Sequence, residues 1–185
     1  MNKRITIRHI AGYCVESALW KIILDLSWEL QNNKMKLWKV LTPDTVIVDG
    51  KKFYIIDAEE NPEMEFCPPE GTDNLAEAGV VWSLGALVCY ASSGHYIFGG
   101  RGGIYQHANP NIELPVLRKE HSDLTPIIQR CLCYSPSQRI NLKNLHNLAF
   151  LGLESCKKKE RVRIINKVVN ATYSISDDVW PEEMC

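Results

Sequence analysis

The densest group of chemically capable side chains lies in one stretch, which we call the acidic loop and define as residues 57–73. It has no lysine or arginine and carries seven carboxylates: Asp57, Glu59, Glu60, Glu63, Glu65, Glu70 and Asp73. Clustered carboxylates can ligate a metal ion, act as acid and base, or attract a basic partner. Three prolines keep the stretch from being helical. The pattern predicts an exposed loop that is either solvated or occupied by a basic segment.

Other residues that could do chemistry lack the spacing that chemistry requires. The five histidines are scattered and form no H-E-x-x-H motif. Cys131 and Cys133 lack the second pair that a zinc site needs, so we expect two core or interface thiols. The glycines of 99–103 lack the Lys-Ser/Thr of a phosphate loop, which favours a flexible turn. We therefore predict no metal and no cofactor.

Composition limits the class of protein. The chain has 185 residues, of which 45% are hydrophobic and 23% charged, with a formal net charge of −1. These values are typical of one globular domain, and they give no basic surface for nucleic acid. Its apolar runs are too short or too interrupted to cross a bilayer, so we expect no membrane partner. The seven cysteines, an odd number set in apolar patterns, favour reduced thiols and a cytoplasmic location.

A helix that is apolar on nearly every side, from Ala76 to Tyr90, predicts the centre of the core. An amphipathic helix should run from Val15 to Leu30, and the Asp49-Gly50 turn should join two short strands, Thr45 to Val48 and Phe53 to Ile56. Three later helices are expected: one capped by Ser122-Asp123, one capped by Asn141, and a last one from Val162 to Thr172. A basic run, Lys157 to Arg163, lies on the approach to this last helix or in its first turns. We predict a domain over 1–175 and an acidic tail over 176–185.

Four blocks resemble the C-lobe of protein kinases, in the family's order. They are Pro68-Pro69-Glu70 for A-P-E, Val81-Trp82-Ser83-Leu84-Gly85 for D-V-W-S-L-G, Gly94 to Gly100 for T-G-x-x-P-F, and Leu132 to Arg139 for L-x-x-D-P-x-x-R. The resemblance implies a mainly α, kinase C-lobe-like helical domain with a small β-hairpin and no N-lobe. It is similar to the kinase non-catalytic C-lobe domain (KIND) family, which acts in protein interaction.

The same resemblance implies that the chain is not an enzyme. The stretch Trp38 to Thr45 is similar to the catalytic loop H-R-D-L-K-P-E-N, but the positions of its base, its lysine and its metal-binding asparagine are Val40, Thr42 and Thr45. Asp57 alone stands where a metal-binding aspartate would be, and we interpret it as a structural residue. In kinases the residues matching Glu70 and Arg139 form a buried ion pair, so we predict that these two meet.

We therefore predict a non-catalytic protein-interaction module whose partner is another protein, either a basic or amphipathic segment or a kinase. The predicted partner-binding residues are Asp57, Glu59, Glu60, Glu63, Glu65 and Trp38, with Leu37 and Phe66 adding apolar surface. Three alternatives stay open: the N-terminal segment covers this patch, the chain is a nucleotide-binding pseudokinase, or it mimics a kinase lobe. The basic run could dock on the acidic loop within one chain or in a homodimer, or it could be solvated. The oligomeric state stays open.

Overall fold

The computed structural model describes residues 4–32, 39–56, 62–73, 75–109 and 112–176, with side chains up to residue 166. Its helices are α1 (Ile7–Ile10), α2 (Glu16–Asn32), α3 (Glu77–Ser93), α4 (Gly102–Ala108), α5 (Thr125–Cys131) and α6 (Leu142–Ser176). Its strands are β1 (Val46–Asp49) and β2 (Lys52–Ile55), and short 3₁₀ turns cover Met64–Phe66, Lys119–Leu124 and Pro136–Gln138. The fold is mainly helical with one antiparallel strand pair, as the sequence predicts.

Helix α3 is the centre of the core, which confirms the prediction for this stretch. Residues 79–89 are all buried, because apolar side chains cover the whole circumference of the helix. The helix ends where Gly94 adopts a left-handed conformation with φ of 75° and donates its N–H to the Tyr90 carbonyl. Neighbouring α5 approaches closely, since a Cβ on Gly85 would lie 2.7 Å from the Cβ of Cys131.

Helices α2 and α6 pack side by side in opposite directions. His146 Nδ1 lies 3.1 Å from Ser27 Oγ, and a Cβ on Gly152 would lie 2.4 Å from the Trp20 ring. The prediction of two separate helices after Asn141 was wrong, because α6 is continuous from Leu142 to Ser176. No proline interrupts the basic run. Gly152 does not end the helix, because it lies where α6 packs against the Trp20 ring and only a residue without a side chain fits there. The predicted cap is confirmed, with Asn144 N–H donating to Asn141 Oδ1 at 2.8 Å.

The hairpin also forms as predicted, and both of its outer edges are covered. Strand β1 pairs Val46 with Ile55 and Asp49 with Lys52, and Gly50 turns the chain with φ of 58°. On the β1 side, Val48 N–H donates to the Ile5 carbonyl at 2.8 Å. On the β2 side, Phe53 N–H donates to Asp25 at 3.1 Å and Ile55 N–H to Glu29 at 3.0 Å.

Two local predictions were wrong. The glycines of 99–103 are not simply a flexible turn, because Gly102 and Gly103 open α4 with their backbones against residues 64–69. A Cβ on Gly102 would lie 2.0 Å from the Met64 carbonyl oxygen, so the close approach requires glycine. Ser122 and Asp123 do not cap α5, since they lie in the 3₁₀ turn and Leu124 occupies the N-cap position.

Three features bear on the remaining predictions. The six cysteines in the described part of the chain are free, and four of them are buried, namely Cys14, Cys67, Cys89 and Cys131. None of the described helices combines the length and the apolar character that crossing a bilayer requires. The boundary predicted after residue 175 falls in the last turn of α6, and residues 177–185 lie outside the described part.

Candidate functional site

Two of the described carboxylates of the acidic loop, Glu65 and Glu63, make their contacts within the chain. Glu65 is only 2% exposed, and it accepts N–H bonds from Phe98 and Gly100, each at 2.8 Å. Burial raises the pKa of the Glu65 carboxyl, while these N–H donors act in the opposite direction. The prediction that Glu65 binds a partner is therefore wrong, because its charge is already used to hold the turn that follows α3.

Glu63 is also engaged within the chain. It forms an ion pair with Arg8 and accepts a hydrogen bond from the Tyr96 hydroxyl, which raises the pKa of Tyr96. Arg8 also contacts Asp44 at 2.7 Å, so the N-terminal segment is tied to both the acidic loop and the segment before β1. Phe66, expected on an open patch, is 0% exposed. Its ring packs edge-on against Tyr90 and Tyr96.

Four predicted binding residues lie outside the described part of the chain: Asp57, Glu59, Glu60 and Trp38. Leu37, the other predicted apolar residue, lies outside it as well. The acidic-loop hypothesis thus depends on residues whose positions the structure does not give.

Glu70 and Arg139 lie in contact, as predicted. Arg139 Nη1 donates to Glu70 Oε1 at 2.5 Å and Arg139 Nη2 donates to Glu70 Oε2 at 2.7 Å, which makes two parallel charge-assisted hydrogen bonds. The Arg139 side chain is 0% exposed, whereas that of Glu70 is 34% exposed. The guanidinium also donates to three carbonyls, those of Cys133, Tyr134 and Ala78. This arginine therefore ties the start of α3 to the segment after α5.

The described positions that resemble the kinase catalytic loop are buried, and their hydrogen bonds are made within the segment or with α3. Val40, Thr42 and Thr45 are 4%, 1% and 2% exposed. Thr45 Oγ1 accepts the Thr42 N–H at 2.9 Å, and Ser83 on α3 binds both the N–H and the carbonyl of Leu41. This segment is a structural connection fixed to the core helix.

An open concave surface lies elsewhere, between α2, β2 and α6. We call it the aromatic groove, a depression of about 560 Å³. Its walls carry Trp28, Tyr54 and Phe150, which are 59%, 38% and 53% exposed. The remaining lining residues are Leu24, Asp25, Glu29, Lys52, Phe53 and His146. Three large aromatic side chains around one depression form the kind of exposed apolar surface that marks a binding site.

The charges of the aromatic groove come mainly from α2. Asp25 forms an ion pair with Lys21 and also holds the Phe53 N–H, while Glu29 holds the Ile55 N–H. Burial raises the pKa of Glu29, and the Ile55 N–H opposes this effect. Because these carboxylates occupy the outward N–H groups of β2, an added β-strand cannot pair there. The groove is therefore shaped for side chains of a helix or a loop.

Sequence reasoning missed the aromatic groove, although signals for it exist. Trp28 lies about 180° around α2 from Leu19 at 100° per residue, so it is on the side opposite the buried face. Tyr54 alternates with the buried Phe53 along β2 and must therefore point outward. What no local pattern gives is that α6 brings Phe150 to the same place.

Comparison with known proteins adds no assignment: the sequence matches no protein-family model and no curated protein. Among the described residues, no three His, Cys, Asp or Glu side chains are grouped so that they could hold a metal ion. The geometry of the aromatic groove is thus the main basis for a function.

Proposed function

We propose that this protein is a non-catalytic protein-interaction module on a kinase C-lobe-like scaffold, and that it binds an amphipathic segment of another protein in the aromatic groove. The observation that carries the proposal is the convergence of exposed Trp28, Tyr54 and Phe150 on one depression. Aromatic residues dominate binding energy at protein interfaces because each buries a large area with few rotatable bonds.

The scaffold part of the proposal is supported by what the kinase-like positions do. The Glu70–Arg139 pair is present as a fixed structural contact, whereas Val40, Thr42 and Thr45 supply no carboxylate, no ammonium and no amide. Phosphoryl transfer depends on such groups to position the metal ions and the incoming hydroxyl. A scaffold that keeps its architectural ion pair without these groups is suited to binding.

The chemistry of the groove indicates the kind of segment it takes. Its wall is mostly apolar, and its β2 edge is closed by Asp25 and Glu29, so the ligand contributes side chains rather than a strand. An amphipathic helix placing apolar residues at i, i+3 or i+4 fits this requirement. Asp25 is already paired with Lys21, so the carboxylate left to face a lysine or arginine of the segment is that of Glu29, which favours a segment with a basic residue at that point.

The state of the cysteines supports a reducing, cytoplasmic location as part of this proposal. Burial raises the pKa of Cys14 to about 11 and that of Cys131 to about 12, so these thiols are protonated and unreactive at neutral pH. They behave as small apolar core residues.

A peptide selection tests the proposal directly. Random peptides displayed on phage are selected against the whole chain, and the enriched sequences are synthesised and titrated by calorimetry. We expect apolar residues at helical spacing with flanking Lys or Arg, and an affinity lowered about tenfold or more by combined Trp28→Ala and Tyr54→Ala.

The matched control is Tyr13→Ala, because Tyr13 is 88% exposed and lies outside the groove. It should leave peptide affinity unchanged. Enriched peptides that bind the double variant as well as the wild type would refute the groove as the site, and the absence of any enriched peptide would count against the function itself.

A further inference from the structure

Beyond Cys156, helix α6 leaves the rest of the molecule. Residues 157–166 are all exposed, including three apolar ones, Val162 at 49%, Ile164 at 56% and Ile165 at 59%. The hydrogen bond of this stretch to another element, among the described residues, is the one from Lys159 to Asp123 at 2.6 Å. The helix continues to Ser176, so residues 157–176 form about 30 Å of helix at 1.5 Å per residue.

Such a helix needs packing to be stable. In proteins most helical stability comes from packing of an apolar face rather than from intrinsic propensity. This one contains several β-branched residues, Val162, Ile164 and Ile165 among them, and these have a lower helix propensity. The exposed apolar side chains are therefore expected to have an interaction partner.

The same helix carries a second exposed apolar pair nearer the body, Phe150 at 53% and Leu151 at 63%. At 100° per residue, Phe150, Glu154, Arg161 and Ile165 fall within about 60° of one another around α6. They form a stripe, which we call the α6 seam, with an apolar residue at each end and opposite charges between them. Leu151 and Val162 flank it on one side.

The order of residues along the α6 seam is self-complementary. If two copies of α6 run antiparallel, with a two-fold axis between Lys157 and Lys158, Phe150 meets Ile165 of the second copy and Glu154 meets Arg161 of the second copy. Lys157 and Lys158 lie about 20° outside the seam on opposite sides. Lys157 Nζ contacts Glu154 Oε1 at 2.7 Å, so in the pair Glu154 lies between its own Lys157 and Arg161 of the second copy. Lys158 can extend into solvent. An isologous interface needs this property, in which residue i contacts j and j contacts i.

We propose that the protein forms a two-fold symmetric dimer through antiparallel pairing of α6 along the α6 seam. A second copy is the occupant that the observations select, because the seam pairs both its apolar ends and its opposite charges with itself. A different protein or an anionic membrane would have no requirement for a glutamate at 154 opposite an arginine at 161. The aromatic groove shares Phe150 with the seam, so the tests use other residues.

Sedimentation velocity over a range of concentrations measures the association. We expect a concentration-dependent monomer–dimer equilibrium that Ile165→Glu shifts by about tenfold or more in dissociation constant, since it buries a charge in the seam. The matched control is Ile104→Glu, a similarly exposed isoleucine at 57% on α4, which should not change the equilibrium. A wild-type chain that stays monomeric at every concentration, or that binds anionic phosphatidylserine vesicles as a monomer, overturns the proposal.

A charge exchange tests the register. Glu154→Arg and Arg161→Glu should each weaken self-association several-fold, because each places like charges opposite one another at two symmetric positions. The double variant restores the pairing, and an equimolar mixture of the two single variants forms heterodimers. Circular dichroism of each variant checks that α6 is still helical. A dimer that is indifferent to these four combinations would show that α6 does not pair in this way.

Discussion

Two regions of the molecule differ in what their side chains contact. The polar groups buried around α3 have hydrogen-bond partners within the protein, whereas the aromatic groups along α2, β2 and α6 are exposed to water. Gln106 accepts the Trp82 indole N–H at 2.9 Å and donates to the Leu132 carbonyl at 2.7 Å. Glu65 and Arg139 likewise have hydrogen-bond partners within the chain. Trp28 and Phe150, in contrast, keep more than half of their surface in water.

This difference separates stability from binding. A buried polar group costs free energy unless its hydrogen bonds are made, so the region around α3 loses stability when one partner is removed. An exposed aromatic group costs little to remove but offers area to a ligand. Substitutions in the first region should therefore change unfolding, and substitutions in the second should change association. Unfolding measurements on variants of both regions, together with binding measurements on Trp28, test this separation.

Arg139→Met should lower the free energy of unfolding by about 3–5 kcal/mol, since it removes a fully buried guanidinium that donates to three carbonyls and one carboxylate. Glu70→Gln should lower it by a smaller amount, about 1–3 kcal/mol, because the amide oxygen still accepts one bond while the amide NH₂ faces the other Arg139 donor, and the partly hydrated side chain can turn toward water. Urea denaturation measures both. Equal losses would mean that the guanidinium–carbonyl bonds contribute nothing of their own.

Glu65→Gln should lower the free energy of unfolding by about 1–3 kcal/mol, because its amide NH₂ would face one of the two backbone N–H donors. Glu63→Gln is the comparison, and a change below about 1 kcal/mol is expected there because the Arg8–Glu63 pair is partly exposed and screened. Thermal unfolding of the two variants measures the difference. A larger loss for Glu63→Gln than for Glu65→Gln would mean that the partly exposed carboxylate contributes more to stability than the buried one.

Stability should fall in mild acid through His121. This imidazole is 3% exposed beside the Ser92 hydroxyl at 2.8 Å, and burial lowers its pKa below the ordinary 6.5. Below about pH 6.5 the unfolded state binds a proton that the folded state does not, so stability is lost as pH falls. For one proton the slope of stability against pH cannot exceed about 1.4 kcal/mol per pH unit. Urea titrations at several pH values should show a weaker dependence for His121→Gln, and an unchanged dependence in that variant would contradict the prediction.

Trp28→Ala should change the free energy of unfolding by no more than about 0.5 kcal/mol, because most of the indole is already in water. The same substitution should weaken peptide binding more than it weakens folding. Calorimetric titration and urea denaturation of one preparation compare the two quantities. A stability loss of about 3 kcal/mol would make Trp28 a core residue and remove the contrast between the regions.

Titration with ATP and Mg²⁺ should give no saturable heat, because Val40, Thr42 and Thr45 carry no charged or amide side chain at the positions that resemble the base, the lysine and the asparagine of a kinase catalytic loop. Saturable binding that disappears in Asp57→Ala would favour the nucleotide-binding alternative over an interaction module.

The core could be predicted because its signals are local. A run of apolar residues on every side of a helix has no place except an interior, and Asp49-Gly50 between β-branched residues specifies a turn. The Glu70–Arg139 contact came from a resemblance in motif order, since nothing local relates two residues so far apart. Glu65 was misjudged because a glutamate in an acidic stretch looks solvated until the donors at Phe98 and Gly100 are known.

The aromatic groove could not be predicted from the sequence for a related reason. Each wall is exposed for a simple local reason, but the depression exists only because α6 runs back along α2. The length of α6 was also not predicted. In the sequence, Gly152 and the basic run after it look like the end of one helix and the approach to another, and only the contact of Gly152 with Trp20 shows why the helix continues.

The two-stranded sheet has a consequence for how the protein behaves at high concentration. An isolated hairpin ordinarily presents two open edges to which strands of other molecules can add, a route to aggregation. Here one edge is closed by Ile5 and the other by two carboxylates of α2. The carboxylates occupy the N–H groups of Phe53 and Ile55 and also place negative charge where an incoming strand would need to approach. The short hairpin is thereby protected from growing into an intermolecular sheet.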